Sequence, residues 1–148
     1  MDDQDLRIRN HVYGSFVREQ HAPTPAAVSQ ALGLEENAVA ESFRRLHDAH
    51  ALVLEPDGSG IRMLNPFSVV ETPYRVFCDG REWFGNCAWD ALAVLGALRT
   101  DGRVESECPD CGEQLRVEVA DGRVAGGDDP IFHVLVPARH WWDDVVFT

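Results

Sequence analysis

The sequence is short of positive charge. Its 13 basic residues face 25 acidic ones, and the net charge is −12. That balance opposes non-specific binding to nucleic acid or to an anionic membrane, since both need a cationic protein surface. Long apolar runs are also missing. None approaches the roughly 18 residues of a membrane-crossing helix, and Met1-Asp2-Asp3-Gln4-Asp5 lacks the features of a secretory leader. The expectation is a soluble, cytoplasmic protein with no membrane partner. There is no serine–histidine–aspartate order, no phosphate-binding loop and no dinucleotide fingerprint, so no organic cofactor is expected. The six histidines are scattered. Only His47 and His50 are three apart, and at the end of a helix they read as partners of its dipole.

What remains is an ordinary globular composition, 45% apolar over 148 residues. That is enough for one domain or two small lobes sharing a core. Residues 5–20 carry an apolar stripe of Leu6, Ile8, Val12, Phe16 and Val17 and read as a helix. Thr24 caps a second helix with Pro25 at its first position and Gly33 at its end. A third runs over about 35–49, with Val39, Phe43 and Leu46 on one face. Ala51-Leu52-Val53-Leu54 and Ile61-Arg62-Met63-Leu64 flank a turn at 56–60. Three short helices and a hairpin predict a winged-helix-like lobe over 1–65. A recognition helix would sit at 35–49 with Arg44 and Arg45, but Glu35, Glu36, Glu41 and Asp48 share it. A lobe that packs on the rest of the chain is the better reading than DNA binding.

Residues 66–148 read as an α+β core. Strands are expected at 69–72, 74–78, 103–107, 115–119 and 131–136, and 126–130 as a loop. The expected class is α+β: the helical lobe packed on a small mixed or antiparallel sheet with one buried helix. That helix is Ala91-Leu92-Ala93-Val94-Leu95-Gly96-Ala97-Leu98, free of charge until Arg99. It opens on Gly85-Asn86-Cys87-Ala88-Trp89-Asp90. Asn86 reads as its N-cap and Cys87 as its first residue. The positive end of a helix favours thiolate, the form that attacks or binds metal. Asp90, three residues on, shares the face of Cys87 and can carry a proton to or from whatever the sulfur holds.

In a cytosolic chain, four cysteines serve metal or redox chemistry better than structural disulfides. Cys78 alternates with Val76 and reads as a core residue. Cys108-Pro109-Asp110-Cys111-Gly112 is a knuckle on a hairpin tip, half of a zinc site by its spacing. The usual second pair is absent, so further ligands would come from Cys78, Cys87, a histidine or another chain.

Cys87-Ala88-Trp89-Asp90 at the head of an apolar helix, the strand entering Ser106-Glu107-Cys108, and the N-terminal lobe together resemble the organomercurial (alkylmercury) lyase family. The resemblance implies protonolysis of a carbon–mercury bond, with Cys87 as the thiolate that binds mercury and Asp90 as the proton donor. Cys108 matches the family's structural hairpin cysteine. The family's second active-site cysteine, expected in the last strand, has no counterpart, which implies a divergent or C-terminally shortened member. In a divergent member, Cys111 supplies the missing sulfur, or Cys108 and Cys111 hold a separate ion such as zinc. The implied partners are a small organometallic substrate or metal ion, with Hg(II) as product, and cellular thiols or a mercuric reductase as its acceptor. A non-catalytic thiolate protein that binds or senses Hg, Zn or Cu is the alternative on the same fold. A homodimer stays open.

Overall fold

A computed structural model describes residues 1–128, 131, 134 and 136–143. The chain divides into two compact units, Met1–Asn65 and Pro66–Thr148.

In the first unit, α1 spans Asp3–Glu19, α2 Pro25–Leu32 and α3 Glu36–Asp48. Helix α1 starts earlier than its apolar stripe because Asp2 caps it. The Asp2 carboxylate accepts from the Asp5 amide at 2.8 Å, and the Asp5 carboxylate accepts from the Asp2 amide at 3.1 Å. This is a reciprocal capping box. Thr24 caps α2 by accepting from the Ala27 amide at 3.2 Å, and Gly33 ends it at φ 65°. The apolar stripes of the three helices meet in a core of Ile8, Val12, Phe16, Val28, Val39, Phe43 and Leu46. Asp5 is sealed in that packing. It accepts from the Ser42 hydroxyl at 2.5 Å and from Arg45 Nη2 at 2.7 Å. Arg45 is thereby engaged inside the unit. Strands β1 (Val53–Leu54) and β2 (Ile61–Leu64) close the unit as an antiparallel hairpin. The His47 ring accepts from the Leu54 amide at 3.2 Å.

The second unit has β3 at Phe67–Ser68, β4 at Arg75–Cys78, β5 at Arg81–Gly85, α4 at Ala88–Leu98, β6 at Gly102–Glu107, β7 at Gln114–Ala120 and β8 at Arg123–Gly127. Its strands are ordered β3-β5-β4-β6-β7-β8, every pair antiparallel. The class is α+β, as the sequence pattern predicts. The strand expected at 69–72 is instead β3 at 67–68, and the segment after it is a turn. There the Thr72 hydroxyl donates to Gly85 O at 2.6 Å and accepts from the Tyr74 amide at 3.2 Å. The loop expected at 126–130 begins as β8. The strand expected at 131–136 falls largely outside the described residues.

Helix α4 lies on the sheet through Ala91, Val94 and Leu95, against a core that includes Phe67, Val76, Cys78, Trp83 and Val104. Its burial is one-sided: Trp89, Gly96 and Ala97 are exposed. Cys78 is buried, as its alternation with Val76 implies, and burial pushes its thiol pKa up. Among the described residues no helix is long and apolar enough to cross a membrane.

Candidate active site

The head of α4 is set by its contact with β5. Gly85 ends β5 with its backbone against the first turn of α4. A Cβ there would stand 2.7 Å from Ala91 Cα and 2.9 Å from Cys87 O. Only glycine admits the helix this close. The Gly85 amide donates to Tyr74 O at 2.9 Å, so the turn after β3 and the end of β5 are stitched together immediately before the reactive segment.

Within that segment the cap is Cys87, one residue later than the N-cap propensity of Asn86 suggests. Cys87 is extended at φ −144°, ψ 177°, and its carbonyl accepts the first helical hydrogen bond, from the Ala91 amide at 2.9 Å. Asp90 is therefore the third residue of the helix, where a capping box carries its acid. Cys87 stands where serine or threonine usually caps, without a side-chain cap hydrogen bond of its own. The Cys87 Sγ–H donates to Asp90 Oδ2 at 3.6 Å, and the Cys87 amide faces the same carboxylate. The amides of Asp90 and Trp89 face the sulfur. The i, i+3 spacing brings the two side chains together.

The electrostatics differ from the simple dipole expectation. Desolvation raises the Cys87 pKa, and the Asp90 charge adds to it; the helix amides oppose this without winning. Desolvation likewise raises Asp90, against the hydrogen bonds it accepts from Cys87. Cys87 thus rests as a thiol beside a carboxylate with heightened proton affinity. Tyr74, overlooked in the sequence, is a neighbour. Its phenol pKa is raised by burial and by the charge that Cys87 can carry. Nothing in the sequence pattern singled it out beyond its place in an expected strand.

The knuckle has a different environment. Cys108 is half-buried and Cys111 exposed. The Cys108 amide donates to Glu113 O at 2.8 Å, the Gly112 amide donates to Cys108 O at 2.9 Å, and Gly112 turns the chain at φ 75°. The amides of Cys111 and Asp110 and the Cys111 thiol all point at the Cys108 sulfur and lower its pKa. Among the described residues no three His, Cys, Asp or Glu side chains converge to hold one ion. The structure therefore assembles Cys87 with Asp90, and Cys108 with Cys111, but does not gather Cys87, Cys108 and Cys111 into one ligand set. The four cysteines are free thiols.

The sequence model of the alkylmercury lyases matches residues 67–148, more than half of the chain. The chain belongs to the alkylmercury lyase family. Among solved structures, the mercury-bound form of MerB2 is similar, with a TM-score of 0.70 and 25% identity over 86% of this chain and 61% of that one. The chain thus spans about three fifths of that relative's length. A search of the curated proteins finds no match. The part matched by the alkylmercury lyases holds the whole second unit from Phe67, including both thiol pairs.

Proposed function

We propose that this member cleaves carbon–mercury bonds by protonolysis, with Cys87 as nucleophile and mercury ligand and Asp90 as proton carrier. The observation that carries the reading is the Cys87 Sγ–H···Oδ2 Asp90 contact at 3.6 Å. The organomercurial R–Hg–X meets the thiol. As sulfur displaces X⁻ from mercury, the thiol proton passes to the Asp90 carboxylate. The resulting carboxylic acid then protonates the carbon. The electron pair of the carbon–mercury bond becomes the new carbon–hydrogen bond, RH departs, and Asp90 is again a carboxylate. Hg(II) remains on sulfur until external thiols or a mercuric reductase take it. A thiolate suits this soft metal, and a raised carboxyl pKa suits an acid that must hold a proton between two transfers.

The test is release of benzene from phenylmercury, or methane from methylmercury, in excess thiol. Release by the wild-type chain, lost in Cys87→Ser and Asp90→Ala, supports the reading. No release from either substrate sinks it. The alternative, a non-catalytic thiolate protein for Hg, Zn or Cu, is favoured by one observation, the second thiol pair at Cys108 and Cys111. It would give binding without hydrocarbon.

A further inference from the structure

The Cys108–Cys111 knuckle is unused by the reaction proposed above, and its arrangement is that of a ligand pair. Three backbone features fix it. The Cys108 amide is held to Glu113 O at 2.8 Å, the Gly112 amide to Cys108 O at 2.9 Å, and Gly112 takes φ 75°. The turn therefore closes on itself with Cys108 at its start and the exposed Cys111 before its glycine. The amides of Asp110 and Cys111 are aimed at the Cys108 sulfur, and the Cys111 thiol is within hydrogen-bonding contact of it. Amides so placed favour negative charge on the sulfur they face. The turn is accessible, since Pro109 through Glu113 are exposed. Glu107, Asp110 and Glu113 lie on and beside the turn in sequence, and their charge favours a cation over an anion.

The donor count selects the ion. Zinc in a closed site takes four ligands, usually with several thiolates or imidazoles. Among the described residues no third histidine, cysteine or carboxylate joins this pair. Two sulfurs and nothing else suit a soft d10 cation that is content with two thiolates. From this juxtaposition we propose that Cys108 and Cys111 form a second soft-metal site, separate from Cys87, which holds one Hg(II) between two thiolates of one chain. Binding balances as Hg(II) plus two thiols giving the dithiolate complex and two protons. The site requires no carbon–mercury cleavage, so it stands independently of the lyase reading.

Two thiolates on one turn outcompete separate monothiols because the second bond forms at high effective concentration. The experiment therefore loads the reduced full-length chain with mercuric chloride, dialyses it against excess glutathione, and counts retained mercury by native mass spectrometry. Cys87→Ser is expected to keep one Hg(II) per chain, as a monomer. Cys111→Ser, whose side chain is exposed and whose fold should be untouched, is expected to lose it, and Cys108→Ser likewise. Loss of that mercury in Cys87→Ser would overturn the proposal. So would its retention in Cys111→Ser, or one metal shared by two chains. An active lyase with no retained mercury at the knuckle would reject this site alone. An inactive chain that retains it in Cys87→Ser would reject only the lyase reading.

Discussion

At the scale of single residues, the candidate chemistry depends on one proton shared between Cys87 and Asp90. In the proposed reaction the productive form carries a thiol and a carboxylate. Activity should fall on the acid side once Asp90 is protonated and cannot take the thiol proton. It should fall on the alkaline side once the pair has no proton left. Both groups are raised above their ordinary values of 3.8 and 9.0. The pH profile of kcat/KM for phenylmercury should therefore be a bell with both limbs displaced upward from those values. Asp90→Asn keeps an oxygen to accept from the Cys87 amide but cannot carry the proton. It should cost about 10³-fold in single-turnover hydrocarbon release while leaving the organomercurial bound to Cys87, as measured by mass spectrometry of the adduct. The pairing of Cys87 with Asp90 was legible in the sequence because three-residue spacing on a helix fixes it. Its protonation was not. The helix dipole can be read from position alone, whereas the desolvation that outweighs it depends on packing.

At the scale of elements, the site depends on how closely α4 approaches β5. Gly85→Ala would drive a methyl group into Ala91 Cα and Cys87 O. Overpacking of this kind costs about 2 kcal/mol, and here the atoms that must yield carry the cap. The expected result is a lower midpoint in urea together with a loss of turnover larger than that of a variant equally destabilised off α4, such as Val104→Ala in β6. Helices α1 and α3 were legible from their apolar stripes, and α2 from its boundaries, Thr24-Pro25 and Gly33. The head of α4 was displaced by one residue because Asn86 and Cys87 compete for the cap. The helix is capped at Cys87, whose thiol pairs with the Asp90 side chain, and local propensity does not report it. Strand β8 was hidden by its glycines. Gly126-Gly127 has the composition of a loop, but Gly127 pairs with Val117 at φ 103°, so close to β7 that a Cβ would collide with Arg116 O. Glycine serves there as a strand residue at a close backbone approach, and the ladder's irregularity lies beyond it, between Glu118 and Val119.

At the scale of the whole molecule, the two units carry buried carboxylates that respond to acid in opposite directions. Asp5 is held well below the usual carboxylate range, first by its hydrogen bonds from Arg45 and then by Ser42 and the Asp2 amide. A depressed carboxyl stabilises the fold above its unfolded value of about 4 and loses that contribution as pH falls below it. Asp90 is raised. Its charged form is penalised in the fold, so lowering the pH through its folded value relieves the penalty. Acid should therefore loosen Met1–Asn65 before Pro66–Thr148. The molecule supplies a largely separate probe for each. All four tryptophans, Trp83, Trp89, Trp141 and Trp142, lie in the second unit, whereas α1, α2 and α3 lie in the first and only α4 adds α-helix to the second among the described residues. On acid titration at low protein concentration, helical circular dichroism should fall at a higher pH than the change in tryptophan emission. Asp5→Ala, which leaves Arg45 and Ser42 without their acceptor, should cost the first unit about 2 kcal/mol at neutral pH. It should also abolish the acid sensitivity of the helical signal in that range. Coincident transitions in the wild-type chain would show instead that the two units unfold as one and that the Asp5 cluster does not set the acid limit.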